Sequence, residues 1–184
     1  MTIEVRRLAA LEVREHIDAL AAVLVDCVES GASVSYMAPF SHDEAGAAFE
    51  EVARGVEQGR RVLIAALADG EIVGTVQINL ATPPNQPHRG EIAKLLVHRS
   101  ARRRGVAARL MEAAEREALT EGKTLLVLDT VTGDAAERLY ERLGWMRVGV
   151  IPDYALYPDG RLCATTVFYK QLGVSVSAST TRTN

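Results

Sequence analysis

VHRSARRRGVAARLM, residues 97–111, sets three consecutive arginines, Arg102, Arg103 and Arg104, and then Gly105, ahead of an apolar run at helical spacing. Upstream, EIAKLLV (91–97) reads as a strand, so the basic cluster sits where a strand ends and a helix begins. A helix start carries unpaired N–H groups and a partial positive charge. A glycine there lets backbone approach a ligand with no Cβ in the way. The stretch therefore suits an anion, a diphosphate in particular. The same residues also fit a solvated basic loop before an ordinary helix. Neither G-x-x-x-x-G-K-[ST] nor G-x-G-x-x-G occurs here, so a P-loop and a dinucleotide fingerprint are both unsupported.

Reading outward, TIEVRRL (2–8) predicts a short strand, and Ile17, Leu20, Ala21, Leu24, Val25 and Val28 form one face of an amphipathic helix that Gly31 ends. A second helix is expected over 41–58, with Ser41 as N-cap and Glu44 completing a capping box. RVLIAALADGEIVGTVQINL (61–80) predicts a hairpin turning at Asp69-Gly70. A proline-rich loop (81–90) leads to the strand 91–97, and a helix follows from Ala107 to Gly122. TLLVLDT (124–130) is apolar almost throughout, the pattern of a strand buried on both faces. Asp134 is placed to cap a helix whose inner side carries Ala136, Leu139, Tyr140 and Leu143, and two strands, 145–154 and 164–172, close the chain. The order of one strand, two helices, three strands, helix, strand, helix and two strands predicts a single α/β (α+β) sheet with helices on both faces. Residues 1–172 are expected to form one domain, with 173–184, small and polar, as a flexible tail.

Composition narrows the function. Lys plus Arg is 21 against 24 Asp plus Glu, a net charge of −3, which argues against a general nucleic-acid partner. Two distant cysteines, Cys27 and Cys163, suggest neither a disulfide framework nor a metal site, and His16, His42, His88 and His98 show no metal spacing. The first twenty residues include acids and lack the apolar core of a signal peptide, and no apolar run is long enough for a bilayer. The expected location is the cytoplasm.

The arginine-glycine stretch resembles the pyrophosphate-binding motif of the GNAT superfamily of acetyl-CoA-dependent N-acyltransferases, [QR]-x-x-G-x-[GA], here on Arg102 to Ala107. DAAERLYERLGW (134–145) is similar to the same family's A-x-x-L-Y-E-[KR]-x-G-[FW] segment. Many members carry Asn seven residues before that tyrosine, where this chain has Gly133. Stretches 31–37, 128–140 and 154–173 further resemble a member of the superfamily that acetylates a β-lactam amino-acid toxin. The resemblance implies the GNAT fold, a central mixed, mostly antiparallel sheet of about seven strands, and acetyl-CoA as co-substrate with no metal. It implies transfer of acetyl to a primary amine of a small molecule by direct attack in a ternary complex, in a monomer or homodimer.

Carried onto this chain, the resemblance assigns cofactor contacts to Leu95, Leu96, Val97, Arg102, Arg103, Arg104, Gly105, Val106, Ala107, Gly133 and Ala136. Tyr140 is the expected acid for the departing thiolate, although its place on an apolar helix face also fits a core tyrosine. Glu91 is the expected base, with Asp129 or a water chain as competitors. The Val97 N–H, at a strand bulge, is expected to polarise the thioester carbonyl. Ser33, Tyr36, Asp129 and Tyr154 are the substrate candidates, from the loop 31–40, the strand end at 129 and the segment 152–161. Two alternatives stand beside this reading: a protein-amine acetyltransferase, and a coenzyme A-binding sensor module without catalysis.

Overall fold

A computed structural model describes residues 2–173, so the expected tail lies outside the described residues except for Gly173. The elements are β1 (Ile3–Leu8), α1 (Ala10–Glu15), α2 (Ile17–Glu29), α3 (His42–Glu57), β2 (Arg61–Ala68), β3 (Glu71–Asn79), β4 (Arg89–Val97), α4 (Val106–Thr120), β5 (Leu125–Val131), α5 (Ala135–Arg142), β6 (Met146–Leu156) and β7 (Leu162–Gln171). They build one seven-stranded sheet in the order β1-β2-β3-β4-β5-β7-β6. Every neighbouring pair is antiparallel except β4 and β5. This is the mixed, mostly antiparallel GNAT sheet that the resemblance implies.

Period-two burial explains the layering. In β2, Val62, Ile64 and Ala66 face one core with Leu110, Met111 and Ala114 of α4, while Leu63, Ala65 and Leu67 face a second core with Leu20, Leu24 and Phe49 of α2 and α3. The strand is buried on both sides because helices cover both. Local signals set the element ends. Ser41 accepts the Glu44 N–H while the Glu44 carboxylate accepts the Ser41 N–H, as the capping box requires. Asp69 and Gly70 both adopt positive φ, the geometry of a two-residue hairpin turn.

Two expectations need correction. Residues 10–15 form a helical turn of their own, offset from α2 by His16, because the Glu12 carboxylate holds the Ala9 N–H and Val13 is buried. And β5 is not buried on both faces. Leu126 and Leu128 enter the α4 core, whereas Leu125 and Val127 are half-buried and Asp129 is exposed. The helices of the second core pack over β2, β3 and β4 and stop short of β5.

The sheet opens in its middle. Parallel pairing of β4 with β5 covers only Arg89–Leu125, Gly90–Leu126 and Glu91–Val127. Beyond these pairs the strands part. On its other edge β4 is bulged against β3: Gln77 pairs with Ala93 and Thr75 with Leu96, so Lys94 and Leu95 together oppose Val76, and Lys94 takes φ +51°. Gly74 accommodates the bulge, since a Cβ there would lie 2.8 Å from the Leu96 carbonyl oxygen. Across the opening, Glu115 of α4 fastens the far half of the sheet. Its carboxylate accepts Trp145 Nε1 at 3.1 Å and Lys170 Nζ at 2.8 Å.

Candidate active site

The opening between β4 and β5 is the mouth of a cavity of about 810 Å3. Ten of the expected cofactor residues line it: Leu95, Leu96, Val97, Arg102, Arg103, Gly105, Val106, Ala107, Gly133 and Ala136. Arg104 stands exposed in the same turn but is not part of the lining. One wall is the start of α4. Gly105 caps the helix in the left-handed region at φ +76°, with no side chain capping it, and Arg103 also has positive φ. The first intrahelical bond at this end runs from the Arg109 N–H to the Gly105 carbonyl, so the N–H groups of Val106, Ala107 and Ala108 have no acceptor within the helix. A Cβ built on Gly105 meets nothing within 4 Å, so the space beside the turn is open. Bare N–H groups, open space and adjacent guanidinium groups together suit a diphosphate.

The Arg102 side chain also has partners within the fold. Its Nε donates to the Val97 carbonyl at 3.0 Å, and its terminal nitrogen lies 3.7 Å from Asp26, so it ties the turn to β4 and α2. Asp26 was invisible in the sequence and is a hub here. Only 7% exposed, it accepts the Arg99 N–H at 2.8 Å and the Arg99 guanidinium, with His98 Nε2 3.5 Å away. Burial works to raise its carboxyl, but the hydrogen bonds from Arg99 outweigh this and hold it below the usual carboxylate range. Cys27, the next residue, lines the cavity, and burial pushes its thiol up.

The bulge orients Val97. The His98 N–H donates to the Val73 carbonyl, so by strand alternation the Val97 N–H points away from β3, toward the opening. Gly133 lines the cavity, and its N–H is taken by the Glu137 carboxylate. Only its carbonyl remains for a ligand.

The acid and base candidates surround the point where the strands part. Tyr140 is 5% exposed and packs against Trp145 and Phe168 with ring centroids 6.0 and 5.9 Å away. It does not itself line the cavity, although Ala136 and Leu139 of the same helix do. Burial first, and then the charges of Asp129 and Asp134, raise its hydroxyl well above the ordinary phenol value. Asp129 accepts the Thr165 hydroxyl at 2.9 Å. Glu91 is half-buried on β4, opposite Val127 at the last paired position. The charges of Glu91 and Asp129 both act on Lys94.

The substrate candidates divide. The loop 31–40 and the β6–β7 hairpin meet, as Ser33 Oγ donates to the Leu156 carbonyl at 2.7 Å and the Ala38 N–H to the Pro158 carbonyl at 3.0 Å. Ser33 thus serves as a clasp between them. Tyr36 stacks with Phe40 at 4.5 Å and lies under the Lys94 ammonium, 5.6 Å from its ring centroid. Tyr154 is 54% exposed on β6, two residues before Leu156. Among the described residues no group of His, Cys, Asp and Glu is placed to hold a metal, and no helix is long and apolar enough to cross a membrane.

The family model of the acetyltransferase (GNAT) family matches residues 28–145. Solved structures resemble most of the chain. An N-acetyltransferase of Staphylococcus aureus Mu50 superposes with a TM-score of 0.78 at 19% identity, over 94% of this chain and all of that one. A Salmonella typhimurium acetyltransferase solved with its cofactor acetyl-CoA gives 0.77 at 18% identity, over 94% and 95%. A ribosomal-protein-alanine N-acetyltransferase of Brucella melitensis gives 0.78 at 19% identity, over 92% and 99%. At these identities the likeness is one of fold.

Proposed function

This chain belongs to the acetyltransferase (GNAT) family, and we propose that it transfers acetyl from acetyl-CoA to a primary amine of a small molecule. The observation that carries the proposal is the cavity between the parted strands, with the uncapped start of α4 in one wall and the bulged β4 along another. Acetyl-CoA fits it chemically: the Val106 to Ala108 N–H groups and Arg103 would hold the diphosphate, and the edges of β4 and Gly133 would flank the arm. When bound, acetyl-CoA supplies the activated acyl group.

The chain's own residues do the rest. Glu91 accepts the ammonium proton of the amine, directly or through water, with Asp129 beside it. The Val97 N–H faces the charge that develops on the carbonyl oxygen. Tyr140, its proton held tightly by burial and by Asp129 and Asp134, serves the departing sulfur as a hydrogen-bond donor, and the sulfur takes up the second proton that the attacking nitrogen sheds. Stretches 31–37, 128–140 and 154–173, which resemble the tabtoxin resistance protein, make a β-lactam amino-acid toxin one acceptor to try, with resistance as the biological outcome. The contact of the 31–40 loop with the β6–β7 hairpin narrows the acceptor side, which favours a small molecule over a peptide.

A thiol-release assay with acetyl-CoA tests this against amino acids, β-lactam amino acids, aminoglycosides, polyamines and a lysine-rich peptide. Release with at least one small amine is expected. Acetyl-CoA binding with silence across the panel supports the non-catalytic module, and absence of acetyl-CoA binding overturns the reading.

A further inference from the structure

On the α2–α3 side of the sheet lies a second, smaller cavity of about 170 Å3. Two cations line it. Arg61 opens β2, and its terminal nitrogen donates to Gln77 at 3.0 Å. Lys94, at the β4 bulge, donates from Nζ to Ser35 Oγ at 2.8 Å. Among the described residues, neither has a carboxylate within ion-pairing distance. Glu51 also lines the cavity, but its carboxylate is engaged by Arg54. Burial lowers the pKa of both cations, and the Arg61 charge lowers that of Lys94 further. Two half-buried like charges with neutral hydrogen-bond partners are an unfavourable arrangement unless an anion completes it.

The cavity is placed to serve the reaction. Leu96 lines both it and the cavity beside α4, and the charges of Glu91 and Asp129 act on Lys94. Two cations in this cavity thus stand within electrostatic reach of two carboxylates outside its lining.

We propose that Arg61 and Lys94 bind a compact oxyanion of the acceptor, a carboxylate or phosphinate, so that the substrate is a zwitterionic, amino-acid-like amine whose ammonium points to Glu91 and Asp129. Arg61 supplies a planar fork for such a group and Lys94 a point charge. The Tyr36 ring beneath Lys94 gives the acceptor's apolar portion a surface. This assignment rests on the acetyl-transfer reading and specifies its substrate class.

The test compares L-lysine, L-methionine and a β-lactam amino acid with their carboxamides, and L-lysine with cadaverine, in the thiol-release assay. At least one acid is expected to exceed its amide in kcat/KM by tenfold or more. In Arg61→Gln, which keeps a hydrogen-bonding side chain beside Gln77, the preference should shrink about tenfold, mainly through KM, with acetyl-CoA affinity by calorimetry unchanged. Lys94→Met should act in the same direction. Equal use of acid and amide, acceptance confined to amines without an anionic group or to none, or an Arg61→Gln enzyme with undiminished preference overturns the assignment. The acid-to-amide comparison needs no variant, so a misfolded mutant does not protect it. Loss of acetyl-CoA binding by the wild-type chain would instead overturn the acetyl-transfer reading.

Discussion

The Asp26 carboxylate on α2 accepts the backbone N–H of Arg99 at 2.8 Å, across 73 residues of sequence, and so fixes where the turn before α4 begins. Asp26→Asn keeps the shape and removes the charge that gathers Arg99, His98 and Arg102. The KM for acetyl-CoA should rise about tenfold with kcat little changed, and the chain should lose about 1.5–3 kcal/mol of stability. The pH dependence has a definite sign. The folded carboxyl lies below its unfolded value, so its stabilisation is complete above about pH 4 and is lost as pH falls through the folded pKa. Denaturation midpoints of wild type and variant should therefore converge in acid. A gap that widens on acidification would sink this account.

Gly105→Val puts a branched side chain at φ +76° and fills the open space beside the α4 start. The backbone strain is about 1–2 kcal/mol. The larger effect should fall on the cofactor, with the acetyl-CoA Kd rising at least tenfold by calorimetry at moderate salt. Unchanged binding would move the cofactor elsewhere.

Tyr140→Phe retains the ring against Trp145 and Phe168 and deletes only the hydroxyl. Turnover should fall about 100-fold or more while acetyl-CoA affinity holds. Because the hydroxyl pKa is raised, the wild-type rate should show no alkaline loss from Tyr140 below about pH 10. Normal turnover with a large loss of affinity would return Tyr140 to a purely structural place in the core.

Thr75, fully buried on β3 beside the β4 bulge, has a hydroxyl with no hydrogen-bond partner among the described residues. Thr75→Val removes an unsatisfied group at nearly constant shape. It should stabilise the chain by about 1 kcal/mol and raise the melting midpoint by roughly 2–4 °C. A lower midpoint would indicate a buried water on that hydroxyl.

What the sequence made legible is what depends on neighbours along the chain. Ser41 with Glu44, and Asp69 with Gly70, act within a few residues, and the helix and hairpin they announce are present. The start of α4 was readable from Gly105 for the same reason. Asp26 was not, because its partners begin 73 residues away and its helix face looks apolar. Lys94 was missed as well, since lysine has no special liking for left-handed backbone and only the register against β3 reveals the bulge. Arg61 read as a strand terminus, and its place beside Lys94 emerges only once β2, β3 and β4 lie side by side. The apolar run 124–130 misled because hydrophobicity alone does not tell how far the covering helices reach.

The early end of the β4–β5 ladder gives the molecule a spine. Past Glu91 and Val127 no rung joins the two leaves of the sheet, so the gap can widen without breaking any strand-to-strand bond. What resists widening is side-chain work, with Glu115 latching Trp145 and Lys170 across the divide. Across the gap, the two leaves are thus tied by a carboxylate on α4 rather than by backbone rungs.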